Sequence, residues 1–199
     1  MGFGALFIGY MFLYDLQLGL RHTGAAEAYA MLDMFPDVLG WVLIFFGLRT
    51  LSKRAEGFEL PRRLSVFFVI LSLLTLAKDT LLFDSFYASN VQSFAGEAID
   101  FCVHLCELAF TVLLFGKTAK LCRKYGEDKL SFTHANVPRI AMMEGILFAV
   151  ARSGRLFSFP QSAAAALNVV SMLDFIFAVF MIWYAVIALF RTMVRISDL

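Results

Sequence analysis

The chain has 199 residues, of which 60% are hydrophobic and 17% charged, with 23 Phe and a formal net charge of +1. A soluble domain of this size could not cover so much apolar surface, and so balanced a charge offers no basic face for nucleic acid. Cys102, Cys106 and Cys122 form no C-x-x-C pair and leave an odd count, which argues against a disulfide framework or a zinc site.

Apolar runs predict six helices, at about residues 3–20, 34–52, 63–84, 96–118, 138–158 and 167–194. Each is long enough to cross a bilayer or nearly so. The expected fold is an all-α, six-transmembrane-helix bundle forming one integral membrane domain over residues 1–199. The first run ends near Ala28-Tyr29-Ala30, which resembles a signal-peptidase site. No Lys or Arg precedes that run and Asp15 interrupts it, so it is read as an uncleaved first helix.

The second run opens with D-M-F-P-D-V-L-G-W-V-L-I-F-F-G-L-R (33–49). Asp33 and Asp37 flank Pro36, a pattern suited to the first turn of a helix. The motif resembles the second helix of small uncharacterised bacterial inner-membrane proteins, in which an Asp-x-x-Pro-Asp start precedes a Gly and an apolar run. The resemblance covers about a tenth of the chain. It implies a multi-pass location in the bacterial cytoplasmic membrane and brings no established activity with it.

Basic residues gather between the second and third helices, between the fourth and fifth, and at the C-terminus. Of the 17 Lys and Arg, only Arg21, Lys78, Arg152 and Arg155 fall elsewhere. The positive-inside rule then places both termini in the cytoplasm. The segment 117–130, with Leu121 and Tyr125 among its bases, reads as an interfacial helix on anionic lipid.

Three segments share a pattern: an Asp (33, 100, 174) opens an apolar run and a base followed by Thr (49, 117, 191) closes it. A shift of 74 residues lays Lys78 on Arg152 and Asp100 on Asp174 without a gap. Two readings stay open. One is three pseudo-repeated hairpins, at about 1–58, 59–126 and 127–199. The other is chance likeness between apolar helices whose inner ends all attract bases. The mitochondrial carriers also have three hairpins, but their P-x-[DE]-x-x-[KR] signature is missing from the odd helices here.

Charges within apolar runs are costly and mark where function should be sought. Glu97, Asp100, His104 and Glu107 fall within an arc of about 80° on the fourth helix. They form either a proton or cation path or a polar stripe that holds helices together. Lys78 with Asp100, and Arg152 with Asp174, are candidate ion pairs. Arg155 is a candidate anion contact or a residue that reaches up to headgroups. Glu144 is either an inner gate acid or another such residue. His22 and His134 fall in linkers, so no metal or cofactor is expected.

The leading functional expectation is a small proton- or cation-linked transporter or channel component. A non-catalytic membrane scaffold or interaction protein is the alternative, and a membrane-embedded lipid-modifying enzyme is third. The expected partners are the lipid bilayer and a small solute or ion, with no nucleic acid and an open oligomeric state.

Overall fold

Long apolar runs broken by few Gly and Pro become helix. In the computed structural model the described residues form six α-helices and no strand: α1 (Gly2–Leu20), α2 (Ala26–Ser52), α3 (Glu59–Leu81), α4 (Asn90–Lys124), α5 (Asp128–Leu156) and α6 (Ala164–Arg195). The structure describes the backbone of residues 2–20, 26–81, 90–156 and 164–196, and the side chains of 2–13, 37–74, 98–99, 101–153 and 165–196.

Two stretches among the described residues are long and apolar enough to cross a membrane: Phe101–Lys124, of 24 residues, and Ala165–Arg195, of 31. Gly2–Leu13 is apolar but shorter. A six-span bundle therefore does not follow from helix length and composition. In α5 the run is diluted by His134, Asn136, Arg139 and Glu144. The span in α6 has only 22% of its length buried within the protein, and Phe175, Phe180 and Trp183 lie exposed along it. The core helix of a soluble protein would be mostly covered.

Several boundaries differ from the sequence expectation. α2 begins at Ala26, so Pro36 and its flanking acids lie inside the helix instead of at its first turn. α4 continues to Lys124 and α5 starts at Asp128. The segment 117–130 is thus the end of one helix, a tight turn and the start of the next, not a separate interfacial helix. Lys, Leu and Ala are good helix formers, so nothing local stops α4 before Gly126.

The chain divides into two units. Residues 1–85 with 186–199 form the first, and residues 86–185 the second. In the first unit α1 packs on α2 through glycines. A Cβ on Gly9 would lie 2.8 Å from the Gly40 carbonyl oxygen, and one on Gly47 would lie 2.7 Å from that of Gly2. Such close backbone approach is how helices associate when lipid removes any hydrophobic difference between surfaces. Leu6, Tyr10, Ile44 and Leu48 bury between the glycines. Trp41 of α2 stacks on Phe68 of α3 at 4.3 Å between ring centroids. The end of α6 meets α1 through Phe190 and Phe7, at 5.6 Å.

In the second unit α4 and α5 form an antiparallel hairpin. Gly126 turns the chain at φ +75. The N–H of Glu127 bonds to the Cys122 carbonyl at 3.0 Å and that of Gly126 to the Arg123 carbonyl at 3.0 Å. This paired cap satisfies carbonyls at the end of α4 and needs a left-handed residue. Beyond the turn, α4 presents Leu108, Thr111, Phe115, Thr118 and Cys122 inward, and α5 presents Leu130, His134, Val137, Ala141 and Glu144. The alternating three- and four-residue spacing is that of a left-handed helix pair.

Candidate functional site

The α4–α5 register brings His104 to Glu144. Phe101 of α4 stacks with Phe148 of α5 at 5.7 Å, Leu108 sits against Gly145, and Phe115 meets His134 at 5.5 Å. Between the first two contacts, Nε2 of His104 lies 2.8 Å from Oε1 of Glu144. The His104 side chain is 32% exposed, whereas that of Glu144 is 2% exposed. When Glu144 is ionised its oxygens can only accept, so the imidazole N–H is the donor.

Three more charges surround this bond. Glu107, one turn along α4, is half-buried and acts electrostatically on His104. Asp174 of α6 is half-buried and in electrostatic range of both His104 and Glu144. Arg152, two turns along α5 from Glu144, acts on Asp174 and holds its guanidinium 5.7 Å from the centre of the Phe148 ring. The His104 ring lies 4.0 Å from the same Phe148 ring. One aromatic side chain therefore braces both the imidazole and the guanidinium.

Two acceptor atoms in this cluster have no hydrogen-bond partner among the described residues. Oε2 of Glu144 and Oδ1 of Asp174 are both buried. A buried carboxylate oxygen without a donor carries an uncompensated desolvation cost. A proton or a cation placed there would remove it.

The sequence-selected residues distribute as follows. His104, Glu107, Arg152 and Asp174 share one neighbourhood in the second unit. Arg152 and Asp174 interact electrostatically but make no direct ion pair. Glu97, Asp100, Lys78 and Arg155 lie on α4, α3 and α5, with side chains outside the described set, and the Lys78–Asp100 pair falls there with them. Glu144 is buried against α4 and does not extend to the surface. His134, expected in a linker, is a wholly buried residue of α5. The spacing Leu130, His134, Val137, Ala141, Glu144, Phe148 marks both as stripe positions, and is the signal that finds them. Among the described residues no group of three or more His, Cys, Asp or Glu is arranged to hold a metal ion. Cys102 and Cys106 are exposed and Cys122 is buried, and none of the three forms a disulfide.

No protein-family model, no curated protein and no solved structure matches this chain.

Proposed function

We propose that this chain is a multi-pass integral membrane protein in which His104, Glu144 and Asp174, with Glu107 beside them, take up and release a proton or small cation. The reading extends to six spans, cytoplasmic termini and a bacterial inner membrane, and to a role as a small transporter or channel component. The basic-residue distribution and the exposed apolar side chains of α6 support the membrane location. The observation that carries the site is the pair of buried, partnerless oxygens, Glu144 Oε2 and Asp174 Oδ1, beside a histidine–carboxylate hydrogen bond. The imidazole of histidine gains and loses a proton near neutral pH.

The scaffold reading is favoured by the same hydrogen bond, which ties α4 to α5 whether or not a proton moves. Reconstitution separates the two. Purified protein goes into vesicles of phosphatidylethanolamine and phosphatidylglycerol holding a pH-sensitive dye, and a potassium diffusion potential drives protons inward. The transporter reading expects flux above that of empty vesicles and its loss in Glu144→Gln, a shape-preserving change. Flux equal to that of empty vesicles would leave the scaffold.

A further inference from the structure

The α4–α5 seam holds a second set of buried polar groups, which the site above does not use. Thr111 is 2% exposed, Thr118 0%, Ser131 5% and His134 0%. Thr111, Thr118 and His134 occupy stripe positions, and Ser131 lies beside that of Leu130, among Phe115, Leu130, Val137 and Ala141, where aliphatic side chains would pack without a desolvation cost. Thr118 returns its hydroxyl to the Leu114 carbonyl at 2.9 Å, a common way to satisfy a helical hydroxyl. His134 is different. It is a protonatable ring placed wholly inside a helix–helix seam, against Phe115.

Between this set and the His104–Glu144 centre stands one apolar barrier. Leu108 is 6% exposed and Ala141 1%. The Leu108 side chain fills the space left by Gly145, where a Cβ would lie 3.1 Å from Leu108 Cδ1. Above the barrier are an acid and an imidazole, and below it hydroxyls and an imidazole. The lower set ends at the α4–α5 turn, where Lys120, Arg123, Lys124, Lys129 and Asp128 are exposed and Glu127 is half-buried.

We propose that this seam is the inner half of a proton path, running from Glu144 past Thr111, His134, Thr118 and Ser131 to the basic turn, with Leu108 seated on Gly145 as its gate. The proposal rests on the proton reading of His104 and Glu144. Glu144 and His134 are ten residues apart on α5, about 15 Å along the axis, so bridging water is required. It enters when Leu108 leaves Gly145, as in constrictions that gate by dewetting. The Glu144 carboxyl gives a proton to that water. The His134 ring accepts one on one nitrogen and releases one from the other, and each hydroxyl accepts one as it donates its own. After one passage Glu144 is ionised, the His134 ring carries its proton on the other nitrogen and the hydroxyls point the other way, so a ring flip, hydroxyl rotation and a proton passed to Glu144 from the His104 side reset the path.

The test uses the vesicle assay above with four further variants. Leu108→Ala removes the gate and should raise proton flux several-fold over wild type. His134→Phe in that background should cut the raised flux by roughly tenfold or more, because one relay group is lost. Thr111→Val should lower wild-type flux, and His134→Gln stands in where the Phe variant does not fold, judged by helical circular dichroism and a single gel-filtration peak. If Glu144→Gln abolishes flux while the His134 and Thr111 variants leave it unchanged, the inner path is wrong and the proton site stands. If wild type moves no protons at all, both readings fall.

Discussion

His104 of α4 and Glu144 of α5 meet at 2.8 Å, one side chain about a third exposed and its partner 2% exposed. The asymmetry matters for what each contributes. Among the described residues Glu144 depends on His104 for its one side-chain hydrogen bond, whereas His104 also reaches the solvent or lipid side.

Removing the two partners should therefore have unequal effects on stability. His104→Ala leaves a buried carboxyl with neither oxygen paired and should cost about 1–3 kcal/mol. Glu144→Met puts an apolar side chain of similar length between the stripe positions Ala141 and Phe148 and should stay within about 1 kcal/mol of wild type. Thermal unfolding in detergent reads both. Equal losses would mean that Glu144 contributes as much as its partner.

The glycines of α1 and α2 make a second, independent prediction. At Gly47 a Cβ would be 2.7 Å from the Gly2 carbonyl oxygen, so Gly47→Ala must push the helices apart and should cost about 1–3 kcal/mol. At Gly116 a Cβ meets nothing within 4 Å. Gly116→Ala should be neutral or stabilising by up to about 1 kcal/mol, from the helix propensity of Ala. Trp41, buried on α2 against Phe68, is a fluorescent reporter for the first variant. An unchanged unfolding midpoint in Gly47→Ala would show that α1 and α2 do not pack this closely.

The α4–α5 turn predicts a graded series. Gly126 sits at φ +75 with open space around it, so only the backbone penalty applies. Gly126→Ala should cost about 1–2 kcal/mol, and Gly126→Asn should cost less, since Asn tolerates the left-handed region. Matched midpoints for Ala and Asn would argue against a left-handed residue at this position.

The sequence made the helix count legible because each apolar run is long and separated by turn or charged residues. It concealed the length of α4 and α5. Thr118, Cys122 and His134 are polar or small residues at stripe positions, and among nearby lysines they resemble a linker. Glu107 and His104 stood out, being charged groups in an apolar run. The tie of His104 to Glu144 did not, because it joins residues forty apart in sequence. The register that closes it is set by the Gly126 turn and by contacts such as Leu108 on Gly145. Helical periodicity alone contains no such pairing.

Topology is a further expected outcome. Reporters fused after residue 199 and inserted at residue 88 should report opposite sides of the membrane, as six spans with cytoplasmic termini require. The same side for both would contradict the six-span proposal.

The central claim, that the His104–Glu144–Asp174 cluster takes up and releases protons, is tested most directly by infrared difference spectroscopy of the protein in vesicles, stepped between pH 5 and pH 8. The account predicts a protonated-carboxyl stretching band that rises and falls with pH, weakens in Asp174→Asn, and shifts in frequency in Glu144→Gln and in His104→Gln. A band unchanged in all three variants, or no titrating carboxyl band in the wild-type protein, would contradict it and leave these charges as static ties between helices.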